Sequence, residues 1–289
     1  MSRPYFQLHF LVLILAFTAV LGRLIELPAP VMVMWRTGLA AGIMALWLAL
    51  SKRAPLRISN QDTVKALLVG IILGLHWITF FGSIQLSNIS VCLAGMASTS
   101  FFTALTEPLI ERRRPCIKEV LLGLMIIPGL AMVAGASWEH STGLGCALVS
   151  ALLASIFPVL NRKLTLRGLA PQTLTLYELI GACVVCAIVI QATGIGSVTQ
   201  APSGMDWLWI GILSGVCTVW AFSFNIHLLK KFTAFTANLA INFEPVHGIL
   251  LAALIFKEYH ELTPLFYAGA ALIILSNLLH VILNRGEQS

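Results

Sequence analysis

Residues 64–84, VKALLVGIILGLHWITFFGSI, decide the fold of this chain. Lys65 is the only charged residue in the stretch. An α-helix rises about 1.5 Å per residue, so a helix of this length covers the ~30 Å of hydrocarbon in a bilayer. The segment therefore predicts a membrane-spanning helix.

Nine further segments of similar length are equally apolar. Only 10% of all residues are charged and the mean hydropathy is +0.91, whereas a soluble domain carries about 25% charged residues. We therefore expect an all-α integral membrane protein that forms a single membrane domain over residues 1–289. Its ten predicted transmembrane helices are 6–22, 30–50, 64–84, 89–110, 118–136, 143–160, 171–192, 206–228, 235–256 and 263–283.

The positively charged residues lie almost entirely in the loops on one side of the predicted membrane domain. With an even number of spans, one face collects nearly all of the 18 Lys and Arg residues, while the other has only Arg23 and Lys257, and Arg36 lies inside the second span. The positive-inside rule then predicts a bacterial-type inner membrane protein with both termini cytoplasmic. The cytoplasmic residues would be Arg3, Lys52, Arg53, Arg57, Lys65, Arg112, Arg113, Arg114, Lys118, Arg162, Lys163, Arg167, Lys230, Lys231 and Arg285. These basic loops face lipid headgroups in this interpretation, so nucleic acid is not an expected partner.

The two halves of the chain resemble each other. GLHWITFFGSIQLS (74–87) and GVCTVWAFSFNIHLLKK (215–231) align Trp77 with Trp220, and a helix with a polar start follows each of them. Five crossings per unit place the second copy upside down in the membrane. The pattern thus predicts two inverted five-helix repeats, residues 1–137 and 138–289, which is an architecture of secondary transporters.

The motifs VMWRTGLAAG (33–42) and KEYHELTPLFYAGAALIILSN (257–277), together with ten helices, resemble the EamA branch of the drug/metabolite transporter superfamily. This resemblance covers essentially the whole chain. It implies a two-repeat carrier that moves small metabolites or amino acids, often outward. The family usually has a Gly-Glu pair after its fourth helix. The first repeat has EPLIERRR instead, so the counterpart of the second-repeat Glu is either Glu107 or Glu111.

Glu244 is the most informative single residue, because it lies near the middle of its span. A carboxylate at that depth costs about 3 kcal/mol and usually faces a cavity or a partner. Pro245 interrupts the helical hydrogen bonds, and His247 lies on the same helix face as Glu244. We expect a proton-titrating or amine-binding site here, with a protonated, structural Glu244 as the alternative.

Two further charges lie within the spans. Arg36 either extends to the outer interface or faces a cavity, where it would bind a carboxylate or phosphate or pair with an acid. Glu178 lies at a similar depth in span 7 as its approximate repeat counterpart. By contrast, Glu258 and Glu261 at the outer end of span 9 are expected to be solvated.

If spans 3, 4, 8 and 9 surround a cavity, as the resemblance implies, polar and aromatic side chains of those spans would line it. Trp77 and Trp220 would form walls that hold a cation or an aromatic ring, unless they serve packing or mark an interface. The complete set of candidate binding or coupling residues is Glu244, His247, Arg36, His76, Trp77, Trp220, Asn225, Asn242 and Glu178.

These features favour a secondary-active exporter of a small polar metabolite or amino acid, working by alternating access and coupled to protons. An aromatic or quaternary amine is the alternative substrate class.

A membrane-embedded enzyme would need paired catalytic groups, and a channel would need a pore-lining ring; neither pattern is present in the sequence. No P-loop, cofactor motif or metal signature appears. The oligomeric state, monomer or homodimer, is left open.

Overall fold

The computed structural model of the chain describes residues 3–124, 126–136, 138–228, 243–260 and 262–284. All regular secondary structure within those ranges is helical. The α-helices are α1 (Arg3–Leu24), α2 (Ala29–Ser51), α3 (Asn60–Leu86), α4 (Ile89–Met96), α5 (Thr99–Glu111), α6 (Ile117–Leu124), α7 (Ile126–Ala136), α8 (Ser141–Leu166), α9 (Pro171–Thr193), α10 (Asp206–Ser214), α11 (Ala221–Leu228), α12 (Glu244–Phe256) and α13 (Pro264–Asn284). A π-helical segment, Gly215–Trp220, joins α10 to α11.

Six helical stretches of the described chain are long and apolar enough to cross a membrane, so the protein is a multi-pass membrane protein. They include α4 with α5, and α10 with α11, each counted as one stretch. Parts of α1, α12 and α13 are apolar but shorter. The predicted span 118–136 is divided into α6 and α7, and the described part of span 9 begins at Phe243. Ten crossings therefore remain a prediction.

Two of the spanning stretches are interrupted near their middle. Between α4 and α5, the hydroxyl and the amide of Ser98 both bond to the carbonyl of Gly95, at 2.7 and 3.1 Å. In the π-helical segment, the hydroxyl of Thr218 donates to the carbonyl of Leu213, five residues earlier, at 2.7 Å. Such departures from regular α-helix are frequent at functional sites.

Helices of the first half pack mainly on helices of the second half. α3 packs on α8 and α9, α2 on α9, α4 on α12, and α7 on α13. Where α3 crosses α9, a Cβ added at Gly70 would overlap the backbone of Glu178, and one added at Gly181 would overlap the carbonyl of Leu67. Small residues thus bring these two helices together, as is common between membrane helices.

Contacts between the halves come in matching pairs. α8 packs on α3, α4 and α5, and α1 packs correspondingly on α10, α11 and α12. The pairs α2 with α9 and α7 with α13 join elements at equivalent places in the predicted order of two five-helix units. We expect such a pattern from two related five-helix units, in which helices of each unit pack on the corresponding helices of the other.

Three helices end at a cationic residue in the left-handed conformation. Lys52, Arg112 and Lys257 have φ values of 52°, 58° and 56° and follow α2, α5 and α12. If the last two are aligned as equivalent helix ends, Arg113 falls opposite Glu258. At this position the first half then has a cation and the second half has a carboxylate. In this alignment neither Glu107 nor Glu111 is the counterpart of Glu258.

Candidate functional site

A cavity of about 90 Å³ lies within the bundle and takes its walls from both halves of the chain. Five of the nine predicted site residues line it: Arg36, His76, Trp77, Asn225 and Glu244. The remaining lining residues are Leu15, Thr18, Leu73, Phe80, Met96, Thr99, Ala154, Phe157, Pro158, Cys217 and Phe222. Helices α1, α2, α3, α4, α5, α8, α11 and α12 and the π-helical segment all contribute.

Arg36 enters the cavity from α2 and is only 1% exposed, so it does not extend to the membrane surface. Its Nε donates a 2.7 Å hydrogen bond to the Thr218 hydroxyl of the π-helical segment. The guanidinium carbon lies 4.1 Å from the ring centroid of Trp77 and 5.5 Å from that of Phe81. These contacts hold the guanidinium against an aromatic face by a cation–π interaction.

His76 is fixed by a reciprocal pair of contacts between α3 and α8. Its Nδ1 lies 3.0 Å from the carbonyl oxygen and 2.8 Å from the hydroxyl of Ser150. The same hydroxyl lies 2.9 Å from the carbonyl oxygen of His76. Because a carbonyl oxygen only accepts, Nδ1 carries a proton, and Nε2 is the ring nitrogen left for other contacts.

Glu244 begins α12 and lines the cavity, and within the described residues no hydrogen bond or ion pair reaches its carboxylate. His247 does not line the cavity: its Nδ1 lies 2.8 Å from the carbonyl oxygen of Phe243, one turn earlier. The structure thus places Glu244 in the cavity wall and His247 outside it, and the predicted coupling or amine-binding role of the two residues stays a prediction. The ring is used to satisfy the backbone of its own helix.

Three buried polar atoms that line the cavity lack a hydrogen-bond partner among the described residues. They are Nη1 of Arg36, Oδ1 of Asn225 and the hydroxyl of Thr18. A buried polar atom without a partner costs about 1–3 kcal/mol, so native proteins contain few of them. A donor, an acceptor and a hydroxyl around one cavity form a set of contacts that a polar ligand would complete.

Trp220 lies outside this cavity, contrary to the expectation that it forms a wall opposite Trp77. It is 42% exposed and stacks on Phe224 at 5.2 Å, in a separate groove between α2, α9 and α11. Phe222 occupies the wall instead, with its ring 5.9 Å from that of Trp77. Trp220 ends the π-helical segment, whose wider turn holds an extra residue and so alters the direction of its side chains relative to a regular α-helix.

Two other predicted residues do not reach the cavity. Glu178 is fully buried in α9, where its Oε2 accepts a 3.2 Å hydrogen bond from the side-chain amide of Asn161. Glu178 therefore lies between helices and does not line the cavity. Asn242 lies outside the described residues.

Several residues of structural importance were not singled out from the sequence. Thr18 and Phe222 have no distinguishing motif, and Thr218 is recognisable only once the π-helical segment is known. Glu258, expected to be solvated, is 3% exposed and bonds to the start of α4. The described residues contain no group of three or more His, Cys, Asp or Glu side chains placed to hold a metal ion.

Comparison with known proteins agrees with this architecture. A solved crystal structure superposes on 100% of this chain and 98% of its own, with a TM-score of 0.67 and 16% sequence identity, a likeness that concerns the fold. No curated protein matches the chain in sequence. Residues 141–282 match the model of the EamA-like transporter family. Those residues, just under half of the chain, are similar to the EamA-like transporters, a family of the drug/metabolite transporter superfamily, and they include the motif at 257–277.

Proposed function

We propose that this protein is a secondary transporter of the inner membrane that exports a small polar metabolite or amino acid by alternating access. The observation that carries the proposal is the cavity lined by both halves, with three unpaired polar atoms and one basic and one acidic residue on its walls. Transporters built from repeats bind their substrates at such a position between the repeats.

The packing of the helices supports alternating access. Partners are exchanged between equivalent helices of residues 1–137 and 138–289, as expected if the two halves are inverted copies. In such proteins, rocking of one repeat against the other exposes a fixed site to each side in turn. The breaks in α4–α5 and α10–α11 border the cavity at Met96, Thr99 and Cys217, where small changes in helix direction would open or close it.

Glu244 is our candidate for proton coupling. It is a carboxyl group in the cavity wall that no other described side chain neutralises, and intramembrane carboxyl groups in transporters commonly relay protons. Since Arg36 and Glu244 form no ion pair across the cavity, protonation of Glu244 would change the charge of the site without breaking an existing contact.

Transport is tested with purified protein in liposomes, by measuring counterflow of individual radiolabelled amino acids and organic acids with and without a pH gradient. We expect saturable counterflow with at least one compound, and stimulation of export by the gradient in the wild type only. Glu244→Gln should retain folded protein and counterflow but lose the stimulation. Gradient-driven transport by Glu244→Gln at the wild-type rate would overturn the coupling role, and unsaturable flux would indicate a channel.

A further inference from the structure

The guanidinium of Arg36 has one edge engaged and one edge free. Nε is bonded to Thr218, one face lies on Trp77, and no hydrogen bond within the described residues reaches Nη1 or Nη2. The free edge presents two parallel N–H groups, the fork that matches the two oxygens of a carboxylate or phosphate. Aromatic packing and the bond to Thr218 keep that fork in one orientation.

No carboxylate of the described chain serves as counter-ion to Arg36. Glu178 is engaged with Asn161, and Glu244 lines the cavity without forming an ion pair with Arg36. An unpaired charge buried in the apolar part of a membrane protein is expensive, which is why such residues normally have a partner. The missing partner is therefore to be sought in what enters the cavity.

The same geometry argues against a cationic ligand at Trp77. The ring already binds a permanent positive charge at 4.1 Å, and the ring of Phe222 packs edge-on against it at 5.9 Å. A quaternary ammonium placed on this aromatic wall would lie near a like charge in a medium of low dielectric constant. The aromatic wall was the feature that supported an aromatic or quaternary amine as the alternative substrate, and Arg36 already occupies it.

We propose that the substrate of this cavity carries an anionic oxygen group, carboxylate or phosphate, which Arg36 binds through Nη1 and Nη2. The inference rests on the proposed function, because it assigns the substrate class of that transporter. The volume of about 90 Å³ restricts the bound group to a small one in this conformation. Trp77 and Thr218 act as positioning residues for Arg36.

Binding is tested by thermal shift of the purified full-length protein in detergent with four probes: propionate, inorganic phosphate, propionamide and tetramethylammonium. We expect stabilisation by propionate or phosphate and none by the two probes without negative charge. Whichever anion binds tells which oxygen group the site accepts. An equal shift with propionamide, a shift with tetramethylammonium alone, or no shift with either anion would overturn the proposal.

Arg36→Lys keeps the charge but removes the fork, so we expect it to weaken anion binding roughly tenfold or more. Arg53→Lys, at an exposed position outside the cavity, is the matched control. Unchanged anion affinity in Arg36→Lys would overturn the assignment. Anion binding that depends on Arg36, without counterflow of any compound, would refute the transporter and leave the anion site intact. Counterflow of a neutral or cationic solute would support the transporter and refute the anion site.

Discussion

The carboxylate of Glu258 accepts a 2.6 Å hydrogen bond from the hydroxyl of Ser90, 168 residues earlier in the chain. It also accepts from the backbone amides of Ile89 and Ser90, at 3.1 and 3.0 Å. These amides form the first turn of α4, where a negative charge is favoured by the helix dipole. One side chain of the second half, two residues beyond the end of α12, thus caps a helix of the first half.

We predict that Glu258→Gln destabilises the protein by about 1–3 kcal/mol, because the amide replaces one charged acceptor by a donor facing backbone N–H groups. Thermal melting in detergent measures the effect. Glu139→Gln is the matched control, since its side chain is 80% exposed. Equal melting temperatures of the wild type and Glu258→Gln would show that the cap contributes little.

Thr218 is predicted to control the orientation of Arg36. Thr218→Val keeps the shape but removes the acceptor for Nε, and we expect a loss of about fivefold or more in anion affinity, corresponding to ~1 kcal/mol. Thr218→Ser restores the hydroxyl and should recover most of the binding. The two variants are compared by thermal shift with the anion that stabilises the wild type, and an unaffected Thr218→Val would refute the positioning role.

Glu178 is predicted to tolerate replacement by glutamine. Its Oε1 and the Oδ1 of Asn161 are both buried acceptors without a donor among the described residues. A glutamine amide supplies N–H groups to this pair, so Glu178→Gln should melt at or above the wild-type temperature and keep its transport rate.

Asn161→Leu removes the amide that bonds to Glu178 and should destabilise the protein by roughly 1–3 kcal/mol. The contrast between the two variants separates a packing role from proton coupling. Loss of gradient-driven transport in Glu178→Gln, with folding intact, would place Glu178 in the coupling machinery.

Trp220 and Phe222 offer a direct test of the π-helical segment. Phe222→Ala enlarges the cavity next to Trp77, and we expect weaker anion binding and a loss of about 3–5 kcal/mol in stability. Trp220→Leu changes a side chain outside the cavity and should leave anion affinity unaltered. Reversed effects on affinity would mean that α11 presents the other face to the site.

Helix positions and the charges inside the spans follow directly from the sequence, because a lone Arg or Glu in an apolar run has few acceptable surroundings. For this reason Glu244 is predicted at a cavity, and Arg36 either at a cavity or at the outer interface; both line the cavity. Trp220 was expected at the cavity but lies outside it, for a different reason. Aligning it with Trp77 assumes the same number of residues per turn in both helices, and apolar composition does not reveal a π-helical turn.

Glu258 was misjudged because its position at a helix end suggests solvent. Its burial depends on α4, which lies more than 160 residues earlier in the chain, and only the packing of the two halves brings them together. His247 shows the opposite case: a local contact to the Phe243 carbonyl takes the ring that spacing alone assigned to Glu244. Long-range caps and local side-chain bonds both lie beyond what periodicity predicts.

The left-handed ends of α2 and α5 combine two tasks in one residue. Glycine would adopt the positive φ of Lys52 or Arg112 with less strain, by about 1 kcal/mol, yet it would remove a charge from the basic loops. The positive-inside rule gives that charge a part in how the chain enters the membrane. Sequence changes that make these helix ends easier to fold therefore also weaken the signal that orients them, so stability and topology cannot be optimised separately at these positions.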